Sequence, residues 1–274
     1  PAEKRNPLEL ETRGIGELIL QLVDQGVKTI CVGIGGSATN DGGIGMAAGL
    51  GIAFYDEQGH LLRPVGASLG RVARIDTSAV PKALEDIELQ VLTDVTNPLC
   101  GSQGATYIFG GQKGLNPLLF PAVDQAMQDF YQLADARILS MPGAGAGGGM
   151  AAGLVAFAGG QISSGIEKSL DLIDFDHKVQ KADLVVVGEG RMDLQSLSGK
   201  APVGVAERTP EKIPVIAICG SLAEDLPAFP SHHIEAAFSI VPGPCEVADA
   251  LAHAERNLIS CARNIGNLLK IKAN

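Results

Sequence analysis

The sequence has 274 residues, 46% hydrophobic and 19% charged, so it can bury a sizeable core and is excluded from the disordered class. A net charge of −10 excludes a general nucleic-acid or anionic-membrane surface, while a small anionic ligand needs only a few local cations and backbone N–H groups. The 35 glycines, close to twice the usual share of about 7%, have no G-X-Y period; collagen is excluded and the surplus belongs in loops and close backbone approaches.

In chain order, the spacing of Ile15, Leu18, Ile19 and Leu22 predicts a helix from Gly14 to Gln25, stopped by Gly26. Lys28 to Ile34 is an apolar β-branched run and reads as a buried strand. GGSATNDGG (35–43) follows, then an Ala/Met-rich helix to Leu50 and a strand from Gly51 to Tyr55. Glu88 to Thr93 reads as a strand ending at Asp94, and Pro117 to Leu139 as a helix. A glycine loop at 143–149 leads into a helix from Met150 to Ala158, and a further helix spans Gly165 to Ile173. Ala182 to Val187 is the clearest buried strand and ends in GEGRMD (188–193). A helix from Ser198 to Arg208, strands at 215–219 and 237–241, and a helix from Cys245 to Leu269 complete the order.

Alternating strands and helices define an α/β protein with a largely parallel sheet. The regular strand–helix units after about residue 160 suggest domains at 1–160 and 161–274. The 5 scattered cysteines contain no C-x-x-C and read as reduced thiols in a cytoplasmic protein without a zinc framework. The long uncharged run Gly143 to Gly160 is too rich in glycine to be a membrane span.

Two chemistries compete for the first glycine loop. Gly33, Gly35 and Ala38 match G-x-G-x-x-A after a strand, with Asp56 as the later acid, which fits a dinucleotide-binding oxidoreductase. Thr39 to Gly43 interrupts the helix such a site needs, and Asp41 would repel a phosphate. Phosphoryl transfer is the alternative. No P-loop or protein-kinase signature occurs, but the reaction needs only a metal, cations, backbone donors and a placed hydroxyl. Asp94, Glu189 and Asp193 stand at strand ends beside glycines, where open α/β sheets bind ligands. Such carboxylates can hold Mg²⁺ or accept a hydroxyl proton. Arg191 and Lys200 can bind anions, and Ser198 and Gly199 add donors where SGK opens a helix. GMAAGL occurs at 45–50 and 149–154, which suits either close helix packing or two helix N-termini aimed at anions.

Taken together, GIGGSATNDGGIGMA (33–47), TDVTNPLCG (93–101), FGGQKG (109–114), GAGAGGGMAAGL (143–154) and VVVGEGRMDLQSLSGKAPVGVA (185–206) resemble the bacterial glycerate 2-kinase family. KRNPLELETRGIGELI (4–19) and FSIVP (238–242) extend the resemblance along the chain. It implies phosphorylation of D-glycerate at its 2-hydroxyl with Mg²⁺ and ATP, in a cytoplasmic enzyme that uses neither nucleic acid nor membrane, with a homodimer left open. It implies two α/β domains, one Rossmann- or flavodoxin-like and incomplete here, the other built on a mixed sheet. Members begin with an APDSFKGSLS-type loop and then a DGGEGT-type loop, which this sequence does not contain. On the order of 60–100 residues of the Rossmann-like domain are therefore expected to lie outside it, and a non-catalytic fragment is a third reading.

Carried onto this sequence, the resemblance implies Asp193, Asp94 and Lys200 as catalytic residues and Asp193 with Glu189 as metal ligands. Gly35, Gly36, Ser37, Thr39 and Asp41 are expected to bind substrate or nucleotide, as are Gly147, Gly148 and Gly149. Gly188, Glu189, Arg191, Ser198 and Gly199 complete the set, which is expected to line one cleft.

Overall fold

A computed structural model describes residues 5–194, 196–197 and 201–272, which divide into two units, 1–165 and 166–274. The first unit runs α1 (Arg13–Asp24), β1 (Thr29–Gly33), α2 (Ile44–Gly49), β2 (Ala53–Tyr55), β3 (Arg74–Asp76), β4 (Glu88–Leu92), α3 (Ala105–Phe109), α4 (Phe120–Ala134), α5 (Ala146–Ala158) and β5 (Gln161–Ser163). Strands β1, β4 and β5 pair in parallel in that order, with Gly33 opposite Leu92. Strands β2 and β3 form a separate antiparallel pair. The mixed sheet content agrees with the α/β expectation.

Helix α1 forms where its apolar period predicts, but it turns a different face inward. Ile15 and Leu18 are exposed, while Thr12, Gly16 and Ile19 are buried. Gly16 lies against Met46 and Gly49 of α2, so backbone contact decides the packing face. Helix α2 in turn packs on α5, where Gly43 lies against Gly153; a Cβ on Gly43 would sit 2.9 Å from the Gly153 Cα. Both GMAAGL copies are therefore buried packing segments.

Around this junction Phe54, Leu69, Leu99, Met127 and Phe130 are buried, each contributing about 1.5–3 kcal/mol. Phe54 meets Phe130 and Phe157 at centroid separations of 5.8 and 6.0 Å. The single helix expected over 117–139 is divided. Asp135 is extended at φ −162°, and its carboxylate accepts the Arg137 N–H to start a separate 3₁₀ turn.

The second unit contains α6 (Gly165–Leu172, its first residue closing the first unit), α7 (Phe175–Val179), β6 (Val185–Met192), α8 (Ala201–Arg208), β7 (Val215–Leu222), β8 (Ala236–Ser239), α9 (Val247–Ala252) and α10 (Ala254–Lys272). Strands β6, β7 and β8 form a parallel sheet in sequential order. The expected boundary at 160 falls just before β5, which pairs with β4 and belongs to the first unit.

Two further expectations change here. Strand β6 does not stop at Val187 but runs through GEGRM, because Arg191 and Met192 pair with Ser221 and Leu222. That extension needs close passage at Gly220, where a Cβ would strike the Gly190 carbonyl oxygen. Strand β7 likewise runs past its expected end at Cys219 to Leu222, and the irregular segment 223–235 leads to β8.

Tyr131 ties α4 to the glycine junction: its fully buried hydroxyl donates to the Gly42 carbonyl at 2.6 Å. Tyr131→Phe should lower stability by about 1–2 kcal/mol, because it leaves that carbonyl unpaired in a dry site. Urea unfolding measures this, and an unshifted midpoint would show that the bond contributes nothing.

Candidate active site

The loop from β1 to α2 divides into a buried half and an accessible half. Asn40 and Asp41 are fully buried. The Asp41 carboxylate accepts from the Thr12 hydroxyl at 2.7 Å, the Gly43 N–H at 3.0 Å and the Gly45 N–H at 3.3 Å. The Thr12 hydroxyl oxygen accepts the Met46 N–H at 2.8 Å. Burial pushes the Asp41 carboxyl above its ordinary pKa, and these donors pull it back. Asp41, expected among the ligand-binding residues, stands here as an internal brace of the loop. The sequence could not show this because the decisive partner, Thr12, lies 29 residues away.

Gly35, Gly36 and Ser37 occupy the accessible half and line a cavity of about 540 Å³ together with Gly147. Thr39 is buried beneath it. Gly148 and Gly149 are also buried and are not among the cavity's lining residues. Gly148 has φ +73°, and a Cβ there would strike the Thr39 carbonyl and lie 2.9 Å from Lys113 Nζ. Of the three consecutive glycines only Gly147 reaches the cavity; the other two let the chain turn under it.

Lys113 is a lining residue that the site expectations missed. It is 7% exposed, and its Nζ donates to Ser37 Oγ at 2.9 Å and the Thr39 carbonyl at 2.8 Å. Burial lowers its pKa to about 8, against the opposing pull of Asp41. The signal in the sequence is FGGQKG (109–114), a lysine bracketed by glycines.

Asp94 is exposed beyond the end of β4 and accepts the Gly165 N–H at 2.9 Å. It is not among the residues lining the cavity, although its neighbour Val95 is.

In the second unit, Gly188, Glu189 and Arg191 lie on β6 itself rather than after it. Gly188 and Arg191 are exposed. Glu189 and Asp193 converge on Ser196. The Ser196 hydroxyl donates to Glu189 Oε1 at 3.0 Å, and the Ser196 N–H donates to Asp193 Oδ1 at 3.1 Å. Among the described residues, Glu189 Oε2 is buried without a hydrogen-bond partner. An orphaned carboxylate oxygen next to a second carboxylate suits a hard cation, for which oxygen donors are preferred. Among the described residues no three such groups come together. Lys200, Ser198 and Gly199 lie outside the described residues.

The dinucleotide alternative loses its acid. Asp56 is 8% exposed, and its carboxylate is occupied by the His60 and Gln58 N–H groups and by Arg71. It closes a turn after β2, which belongs to the antiparallel pair and not to the parallel sheet.

Carboxylates and glycine loops at or near strand ends of α/β units suit a small-molecule kinase. A family model described as the glycerate kinase family matches residues 1–270. A glycerate kinase from Neisseria meningitidis is 56% identical over 271 residues, covering 99% of this chain and 73% of the relative. The glycerate 2-kinase of Escherichia coli is 41% identical over 276 residues, covering 99% and 72%. A crystal structure from Salmonella typhimurium LT2, assigned to glycerate kinase 2, superposes with a TM-score of 0.80 at 41% identity, covering all of this chain and 72% of that one. The chain belongs to the glycerate kinase family. No helix among the described residues is long and apolar enough to cross a membrane.

Asp41→Ala would strand the Thr12 hydroxyl and the Gly43 and Gly45 N–H groups in a dry junction. At 1–3 kcal/mol for each unpaired group, a loss of about 3 kcal/mol or more is expected, whereas Asp41→Asn, which keeps an acceptor, should lose less. Chemical denaturation of the two variants checks the order. Equal stabilities would remove Asp41 from its bracing role.

Proposed function

We propose that this chain transfers the γ-phosphoryl group of ATP to the 2-hydroxyl of D-glycerate, giving 2-phosphoglycerate, in a Mg²⁺-dependent cytoplasmic reaction. The observation that carries the reading is the buried Glu189 oxygen beside Asp193 that has no partner among the described residues, in a chain of the glycerate kinase family. Glu189 and Asp193 would hold the metal, with Ser196 fixing both carboxylates from between. The ion would neutralise charge on the transferring phosphoryl group.

The remaining roles belong to this chain's own groups. Asp94 would take the acceptor's hydroxyl proton; it is exposed at a strand end, and a backbone N–H holds one of its oxygens. Arg191, exposed on β6, would meet phosphate oxygens. Lys200, Ser198 and Gly199 are assigned phosphate contacts from their sequence pattern. Gly35, Gly36, Ser37 and Gly147 would present backbone to an anionic group, with Thr39, Gly148 and Gly149 supporting them from below.

The test is a coupled ADP-release assay with Mg²⁺, ATP and D-glycerate, with phosphorus NMR of the product. ADP release that depends on glycerate, with phosphate on carbon 2, is expected; release no greater than in the glycerate-free control would overturn the reading. Glu189→Gln should lower kcat by at least tenfold and raise the Mg²⁺ concentration needed for half-maximal rate. Unchanged Mg²⁺ dependence would remove Glu189 from the metal site.

A further inference from the structure

The cavity of the first unit has an unusual charge inventory for a protein with a net charge of −10. Among the described residues Arg5 and Lys113 line it and no Asp or Glu does; the acid in the lining of an adjoining cavity that shares Gly35 and Ser37 is Glu11. The first cavity's other polar surface comes from the loop after β1 and from Gln112. Among the described residues, the backbone N–H groups of Gly35, Gly36, Ser37 and Ala38 donate to no protein acceptor. The wall is therefore rich in unspent donors.

Lys113 is the deepest of these groups. A lysine is rarely so buried unless it is paired. Its ammonium has three hydrogens, and the described residues accept two of them, at Ser37 Oγ and the Thr39 carbonyl. Both acceptors are neutral. The charged groups facing Lys113 are Asp41, from the β1–α2 loop, and Arg5, on the cavity wall. Asp41 is already bonded by three donors of its own, and its pull on Lys113 does not offset the burial. A desolvated cation with a spare donor, walled by free amides, is built to receive an anion.

We propose that Lys113, with the Gly35–Ser37 segment, forms a subsite for one small oxyanion, either the carboxylate of the acceptor or a phosphate of the donor. This inference rests on the glycerate kinase reading above. Lys113 would touch the substrate directly, while Ser37 would hold the ammonium in place.

The sign of the pH effect follows from the group. The ammonium binds an anion only while protonated, and its pKa without ligand is about 8. Affinity for the bound substrate should therefore be full below that value and fall as the pH rises through it.

Steady-state kinetics on the full chain, with D-glycerate and ATP varied in turn between pH 6.5 and 9, tests this for the wild type, Lys113→Met, Lys113→Arg and Ser37→Ala. Lys113→Met is expected to raise KM for one substrate at least tenfold and to leave the other within about twofold. A glycerate effect assigns the carboxylate, and an ATP effect assigns a phosphate. In the wild type the same KM should climb above pH 8; in Lys113→Arg it should be partly restored and flat. Changes in both constants or in neither would overturn the subsite.

Circular dichroism monitors folding. If Lys113→Met does not fold, a wild-type KM that stays flat to pH 9, with Ser37→Ala unchanged, overturns it equally. A wild type without turnover would instead defeat the glycerate kinase reading. Calorimetric titration of wild type and Lys113→Met with D-glycerate and with ADP then decides the subsite: weaker binding of one ligand supports it, and equal binding of both overturns it.

Discussion

The first unit is organised by a backbone-on-backbone contact that only glycine permits. Where α2 begins, the chain passes α5 so closely that a Cβ on Gly43 would sit 2.9 Å from the Cα of Gly153. Gly42 N–H donates to the Gly148 carbonyl across the same junction at 3.0 Å. Polar backbone brought together like this, away from water, must be fully bonded. Asp41 and Thr12 supply the missing partners on one side and the Tyr131 hydroxyl on the other. The loop from 40 to 45 is spent on its own support, which leaves residues 35–38 as the part that can face a ligand.

The second unit solves a related problem with a strand. A loop would hold Glu189 loosely, but β6 continues past it and pairs with β7 as far as Met192. Close approach at Gly190 and Gly220 allows that pairing. Glu189 is thereby fixed to the sheet while Asp193 stands just beyond its end, and Ser196 joins them. A carboxylate oxygen buried without a partner costs free energy, so it persists only where the surrounding structure enforces it. Such enforced cost is a mark of a functional position.

The alternation of apolar runs made the α/β class and most elements legible, because buried parallel strands and amphipathic helices leave strong local patterns. The three-residue strands β3 and β5 left no such pattern and exist through their partners. The inward face of α1 was misread for the same reason: Gly16 carries no hydrophobic signal, yet it makes the closest contact. Among site residues, Glu189 is legible as an acid but not as a member of β6. Asp41 and Lys113 show the limit most clearly. Their roles depend on Thr12, Ser37 and Thr39, which meet them only through the fold. Both GMAAGL segments drew attention as helix starts, and both prove to be packing surfaces.

Local placement also outweighs total charge at the cavity. Exposed charges farther than about 8 Å are largely screened at physiological salt, so most of the surface acids contribute little there. Two unit charges 4 Å apart interact by about 1 kcal/mol in bulk water and about 4 kcal/mol near a protein surface. A single ammonium in a half-dry wall therefore governs an arriving anion more than the net charge of −10 does. The same desolvation that strengthens this attraction also lowers the lysine's pKa, so the subsite's strength and its sensitivity to alkali have one cause.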